Sequence, residues 1–252
     1  MKLSRKLLPA LAMLLVSAVM MSTASFAWFS VNTTAEANGM SVTVASARNI
    51  LISTAEAGTY GSSATFEEKA EALAPASAVE AVSPNFFYMS KAGTGMTAEN
   101  SSYGTNPEFA AGTKDTHYIT FTAYLKVVGE GVDGTKITPN VKFTKTDSPV
   151  YKAFRALFVV DDTTTYLYAP LGGTACKPIK SVDEGTKAPT VGEDETLDTN
   201  GTTPIVSSVV KEQVYKVTVY IWLEGQDAAC TAANAISLKE NEITIDFTIP
   251  AA

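Results

Sequence analysis

Residues 214–223 read Val-Tyr-Lys-Val-Thr-Val-Tyr-Ile-Trp-Leu, a stretch of β-branched and aromatic residues in which apolar side chains recur at every second position. Residues 117–127, His-Tyr-Ile-Thr-Phe-Thr-Ala-Tyr-Leu-Lys-Val, have the same two-residue period. This period is typical of a β-strand, and both faces of 214–223 are apolar over most of their length. Strands that are apolar on both faces lie inside a sheet, where each face is covered. The pattern therefore predicts two long central strands and a mostly buried Trp222.

Shorter segments of the same kind occur along the rest of the chain, each bounded by Asp, Thr, Gly or Pro, which favour turns. They are residues 40–44, 50–52, 86–89, 141–143, 156–160, 166–168 and 242–249. Eight or nine short strands with turn-rich connections predict an all-β fold. We expect an antiparallel β-sandwich of jelly-roll type, formed by one domain over residues 28–252.

Four further segments do not fit this strand pattern. Helix-forming residues at 66–73 and 231–238 predict one or two short helices. Residues 91–116 are rich in Gly, Thr, Ser and Asn, and residues 177–203 are rich in acids. Both segments predict long loop insertions at the ends of the sandwich.

The first 27 residues have the pattern of a secretory signal peptide. Three basic residues lie among the first six, an apolar run follows from 7 to 21, and small residues occupy positions 25 and 27. A membrane span needs about 20 apolar residues, whereas this run has about 15 and contains Pro9. We therefore expect cleavage after Ala27 and secretion, with membrane contact only during export. Cleavage removes three positive charges and no acids, which changes the formal charge from -7 to -10.

Charge and residue counts argue against several classes of function. With 19 Lys and Arg against 26 Asp and Glu, the chain lacks the basic surface of a nucleic-acid binder. One His and two Cys cannot supply a zinc site built from several imidazole or thiolate ligands, and a Ser-His-Asp triad could use only His117. We expect no catalytic residues, no metal and no cofactor. Two alternatives stay open: paired carboxylates for glycoside hydrolysis, and calcium binding by the acidic segment 183–198, which lacks the spacing of a calcium loop.

Cys176 and Cys230 are the two cysteines of a chain that we expect to be exported. An oxidising extracellular compartment permits a disulfide between them. Two separate reduced thiols, as in an anaerobic habitat, are the alternative. The residues themselves leave both states open.

The start of the exported chain resembles a known family. Residues 28–32 read Trp-Phe-Ser-Val-Asn, and residues 39–44 read Gly-Met-Ser-Val-Thr-Val. A signal peptide followed by an aromatic start, Asn and a strand resembles the TasA/camelysin (CalY-like) family of exported fibre proteins of Gram-positive bacteria. Ala27-Trp28-Phe29 is similar to the cleavage site of a SipW-type signal peptidase, and residues 219–227 resemble a strand of related clostridial surface proteins. Some camelysins have been described as metalloproteases, and this chain departs from that role because it lacks a set of zinc ligands.

The resemblance implies a jelly-roll, non-enzymatic structural subunit of an extracellular matrix or cell-surface fibre. Such subunits assemble by lending an N-terminal strand to a neighbour, so the partners would be a second copy of the chain and other matrix or cell-surface components. Residues 28–45 would be the donor segment. For residues 40–44, an ordinary first strand within the chain's own domain is the alternative. The side chains that the resemblance assigns to assembly are those of Trp28, Phe29, Val31, Met40, Val42 and Val44.

A carbohydrate-binding or adhesive β-sandwich module is a second interpretation of the same composition. Aromatic rings stack on sugar faces, and Tyr103, Tyr166, Tyr168 and Trp222 are the candidates. Tyr166 and Tyr168 share one face of a strand and fit a protein core equally well. Fibres seen by electron microscopy would favour the structural subunit, and monomers that bind a glycan would favour the module.

Overall fold

A computed structural model describes residues 40–46, 50–70, 73–91, 108–144, 146, 149–230 and 243–249. Within these ranges the chain is nearly all strand, and its one helix is a short 3-10 turn at Pro149–Ala153. None of the described helices has the length and hydropathy of a membrane span. The strands in chain order are β1 Met40–Ser46, β2 Ile50–Ser53, β3 Ser63–Ala70, β4 Phe87–Lys91, β5 Glu108–Ala111, β6 Tyr118–Val127, β7 Thr138–Phe143, β8 Phe154–Val160, β9 Thr164–Tyr168, β10 Ile179–Val182, β11 Pro189–Val191, β12 Val214–Leu223 and β13 Ile243–Thr248.

The two long strands lie inside a five-stranded antiparallel sheet of order β2-β6-β12-β8-β9. β12 pairs with β6 along nearly its whole length, from Val214 opposite Lys126 to Trp222 opposite Tyr118. Buried and partly exposed residues alternate along β6, as expected of a pleated strand. The prediction of two central strands is confirmed, and Trp222 is fully buried.

A second sheet has four strands in the order β3-β1-β13-β7. β1 pairs antiparallel with β3 and parallel with β13, so that Val42 lies opposite both Phe66 and Ile243. β13 and β7 pair antiparallel. The all-β fold with antiparallel sheets is thus confirmed. A jelly roll is built from antiparallel strands, and since β1 and β13 are parallel, the jelly-roll type stays a prediction.

The helix predicted at 66–73 is wrong, because residues 63–70 form β3. These residues favour a helix in isolation, but here they form backbone hydrogen bonds to β1. Intrinsic helix propensity is a weak preference, and pairing with another strand outweighs it. The other helical segment, 231–238, lies outside the described residues.

Both predicted loop insertions contain strands. Residues 108–111 form β5, which pairs with β4, and residues 92–107 of the same segment lie outside the described part of the chain. In the acidic segment, β10 and β11 pair as a small antiparallel hairpin. These strands are only three or four residues long, which is too short for a sequence period to be recognised.

Apolar side chains are buried on both faces of the five-stranded sheet. On the inner face, Phe158 packs against Phe247 of the second sheet, with ring centroids 6.2 Å apart. On the outer face, Trp222 and Leu157 pack under Phe86, whose ring lies 5.4 Å from that of Trp222. All seven residues of β8 are therefore buried. A charged side chain on this strand cannot reach solvent, so its ion-pair and hydrogen-bond partners must lie inside the protein.

Candidate functional site: a buried charge cluster around Arg155

Arg155 is the charged residue of β8, and its side chain is fully buried. It lies opposite Trp222 of β12, on the outer face of the sheet. Its guanidinium forms ion pairs with Glu195 at 3.0 Å and with Asp227 at 3.1 Å. Nη2 also donates a hydrogen bond to the carbonyl oxygen of Thr174 at 2.8 Å. The planar guanidinium of Arg155 thus links three separate parts of the chain to β8.

A third carboxyl group, that of Glu224, belongs to the same cluster. Glu224 directly follows β12 and is fully buried. The indole Nε1 of Trp222 donates to its Oε2 at 3.0 Å, and the backbone N–H of Gln226 donates to its Oε1 at 3.0 Å. The hydroxyl of Ser77 is its third hydrogen-bond partner. Every polar atom of this carboxyl group is therefore bonded within the protein.

The protonation of the cluster follows from burial and charge. Burial, and then the negative charge of Glu195, raise the pKa of Glu224 to about 8, while Arg155 opposes the shift. Burial alone would lower the pKa of Arg155, but the carboxylate of Glu195 outweighs burial and raises it. The cluster therefore contains one guanidinium and three carboxyl groups, and the pKa of one of these, Glu224, is raised.

The two cysteines border this cluster as free, buried thiols. The thiol of Cys176 donates a hydrogen bond to Oε2 of Glu195 at 3.1 Å. Burial raises the pKa of both thiols, so neither forms a thiolate at neutral pH. The disulfide between Cys176 and Cys230 is not formed in the structure, and for the exported protein it stays one of the two alternatives.

Cys176, Glu195 and Glu224 each offer one metal-ligating atom, and these atoms lie within 4.8 Å of one another. Thiolate and carboxylate oxygen are ligands of zinc. Here, however, both oxygens of Glu195 already accept hydrogen bonds from Arg155. A metal ion in this position would face a guanidinium at close range, and two buried like charges repel strongly. Arg155 therefore takes the place that a metal cation would have beside Glu195.

Two carboxylates of the acidic segment 183–198 are bound to the chain's own donors. Asp183 accepts hydrogen bonds from the backbone N–H groups of Gly185 and Thr186. Asp198 accepts from the hydroxyl of Tyr166 at 2.8 Å. Burial by itself would raise the pKa of Asp198, but backbone amides, led by that of Thr203, hold it well below its usual range. The other amides that donate to Asp198 are those of Asn200, Gly201 and Thr202.

The rings proposed for sugar stacking are not exposed. Tyr166 and Tyr168 are 7% and 8% exposed and belong to the core between the sheets, and Trp222 is 0% exposed. A cleft of about 340 Å³ opens beside Tyr166 and Asp198, and four of its ten lining residues are threonines. Burial contradicts a stacking role for these three residues, and Tyr103 lies outside the described part of the chain.

His117 lies in the turn that precedes β6, whereas the sequence predicted it within the strand. Its Nδ1 accepts a hydrogen bond from the backbone N–H of Thr113 at 3.0 Å, and its ring stacks on Tyr88 at 4.2 Å. Burial lowers the pKa of His117, so the imidazole is neutral at neutral pH. The contacts of this residue explain its position without a ligand.

The residues assigned to assembly fall in two groups. Met40, Val42 and Val44 lie on β1, inside the second sheet of their own chain, as the alternative interpretation of 40–44 predicted. Trp28, Phe29 and Val31 lie outside the described residues.

Sequence reasoning did not single out Arg155, Glu195, Asp227 or Glu224. One signal was available: Arg155 interrupts an otherwise apolar run at 153–160, and a charge in a doubly buried strand requires a buried partner. The partners themselves lie 40 to 72 positions away, where no local pattern marks them. No family model, no curated protein and no solved structure matches this chain.

Proposed function

We propose that this protein is a secreted, non-enzymatic structural subunit of an extracellular matrix or cell-surface fibre of a Gram-positive bacterium, and that it assembles by donating an N-terminal strand. The observation that carries the proposal is the position of β1. This strand is hydrogen-bonded on both edges, by β3 on one side and by β13 on the other. The residues that precede it, 28–39, are therefore attached to an anchored strand inside the sheet.

The second sheet offers an acceptor for such a segment. β3 and β7 are its edge strands, and among the described strands each has a neighbour on one side only. An edge strand presents unpaired N–H and C=O groups to an added strand. The edges of the other sheet are partly covered, since Gly61 pairs with Ile52 of β2, and Asp198 bonds to the backbone beside Tyr168 of β9.

Donation from one copy to the edge of the next joins two different surfaces. Such a head-to-tail contact does not close on itself and extends into a filament. Backbone hydrogen bonds would supply the affinity, and alternate side chains such as Phe29 and Val31 would set the register. The aromatic residues at the start of the exported chain would then be covered in the fibre and exposed in a free subunit.

The test compares the exported chain with a variant that lacks residues 28–34, at equal protein concentration. We expect the truncated chain to remain folded by circular dichroism, because these residues precede the first strand of the sheet. We expect it to form no fibres, or to form them much more slowly, by light scattering and electron microscopy. Unchanged fibres from the truncated chain would refute donation by this segment.

Two matched variants separate donation from other causes. Replacing Leu171, an exposed apolar residue at 71% exposure in the turn after β9, by Ser removes apolar surface elsewhere and should leave assembly unchanged. Deleting residues 28–46 also removes β1 and should unfold the second sheet. If the full-length chain forms no fibres and remains a glycan-binding monomer, the adhesive-module interpretation replaces this one.

A further inference from the structure

The charge cluster lies beside a backbone pairing between the end of β12 and residues 74–77. We call residues 74–77 the strap. The backbone N–H of Ala76 donates to the carbonyl of Leu223 at 2.9 Å, and the N–H of Gly225 donates to the carbonyl of Ala76 at 2.8 Å. These two bonds flank Glu224, whose carboxyl group is bonded to Ser77 of the strap. Glu224 thus lies at the junction of strap and sheet.

The cluster contains more acids than bases. Arg155 brings one positive charge, and the two carboxylates that contact it, Glu195 and Asp227, bring two negative charges. The guanidinium donates to both of these groups and to backbone carbonyls. A third carboxylate at Glu224 would therefore be a buried charge without a cation of its own, which is costly. With its proton in place, Glu224 is neutral and no further cation is needed.

No other cationic group is available to Glu224 from the described elements that pack around it. β8 contributes Arg155, the strap contributes a hydroxyl, and the remaining neighbours are acids, thiols or neutral donors. They are Ser77 of the strap, Cys176 and Glu195 of the loops before and after the β10–β11 hairpin, and Trp222, Gln226, Asp227 and Cys230 of β12 and the turn that follows it.

We propose that the proton on Glu224 is a switch that holds the strap against the end of β12, and that losing this proton releases the strap. The proposal does not depend on the fibre function. When Glu224 ionises, the negative charge is stabilised only if water reaches it. Water reaches it if the strap moves away, because Ala76 and Ser77 of the strap are buried and lie against Glu224. Opening the strap would therefore be linked to the release of one proton.

The sign of the pH dependence follows from this linkage. Glu224 keeps its proton in the closed state to a higher pH than in the open, hydrated state, where it titrates like an ordinary Glu at about pH 4.3. Raising the pH therefore favours the open state. The opening equilibrium constant should rise roughly tenfold per pH unit between about pH 5 and the pKa of the closed state, and level off above it.

The test is hydrogen exchange by mass spectrometry on the whole exported chain, from pH 5 to pH 9, after correction for the intrinsic pH dependence of exchange. Peptides that cover the strap are compared with peptides from β6, and the wild type is compared with Glu224→Gln. Gln is neutral and of nearly the same size, and its single carbonyl oxygen can accept the bond from either Trp222 or Gln226. We expect strap protection to fall with pH in the wild type and to be independent of pH in the variant, with β6 unaffected in both.

The proposal is overturned if strap protection has the same pH dependence in the wild type and in Glu224→Gln. If the variant does not fold, infrared spectroscopy of the wild type decides. We expect the carbonyl band of a protonated carboxylic acid at pH 6 to disappear by pH 9 together with strap protection. Absence of that band at pH 6, or its persistence when protection is lost, would also overturn the proposal.

Discussion

Arg155 and Glu195 form a two-point ion pair in the interior of the protein. Nε of Arg155 lies 3.1 Å from Oε1 of Glu195, and Nη2 lies 3.0 Å from Oε2. The two side chains are 0% and 1% exposed. Because Arg155 belongs to β8 and Glu195 to the loop after β11, this pair fastens that loop to the five-stranded sheet.

Replacing Glu195 by Gln should destabilise the protein by about 3–5 kcal/mol, because it leaves a buried guanidinium with too little negative charge around it. Urea unfolding at pH 7 measures the change. Asp162→Asn is the matched control: the side chains of Asp162 and Lys216 are 62% and 39% accessible, so solvent screens their pair and its loss should change the unfolding free energy far less. Equal losses in the two variants would contradict the role given to the buried pair.

Replacing Trp222 by Ala should cost about 3–5 kcal/mol, because it empties a large volume between β12 and the cluster of Ala78 and Phe86. Leu171→Ala, at a position that is 71% exposed, should change the unfolding free energy by no more than about 0.5 kcal/mol. Both values come from the same denaturant titration. A loss below about 1 kcal/mol for Trp222→Ala would mean that the ring is accessible, as a ligand platform requires.

Cys176 and Cys230 should not react with a thiol reagent in the folded protein, because burial raises the pKa of both thiols. Two thiols should become reactive when the protein is unfolded without reductant. A Leu171→Cys variant, with a thiol at an exposed position, should react at once and serves as the control. If the unfolded wild type yields no reactive thiol, the two cysteines are joined by a disulfide.

His117 should make the fold sensitive to acid. Burial lowers the pKa of His117 in the folded protein, so the unfolded chain takes up the proton first as the pH falls below about 6.5. The stability that the neutral imidazole contributes is present above that pH and is lost below it. The melting temperature between pH 8 and pH 5 should therefore fall more in the wild type than in His117→Gln. If the melting temperature falls by the same amount in both proteins, the pKa of His117 is the same in the folded and the unfolded chain.

The long strands could be predicted because their own residues determine them. In β6 and β12 the two-residue period runs over ten positions, and in β12 both faces are apolar over most of the strand, which favours an interior place in a sheet. The segment at 63–70 could not be predicted in this way. Its residues favour a helix in isolation, and only the presence of β1 beside it makes the extended form the stable one.

The charge cluster could not be predicted for a different reason. Each of its members has an ordinary local sequence, and what distinguishes them is that four separate segments meet at Arg155. An acidic residue in a turn, such as Glu195 or Asp227, is normally solvated at the surface, and its burial depends on which strand lies beneath it. A residue such as Arg155 in an apolar run indicates that partners exist, but it does not identify them.

The parallel pairing of β1 with β13 also bears on the order in which this protein can fold. Val42 lies opposite Ile243, about 200 positions later in the chain, so the first described strand completes its hydrogen bonds only when the last one is present. Contacts between residues so far apart in sequence form slowly, because a long stretch of chain must be ordered to bring them together. A nascent chain that ends before residue 243 has β3, β1 and β7 but lacks the strand that joins β1 to β7. The second sheet therefore closes as a late event, after synthesis of the whole chain.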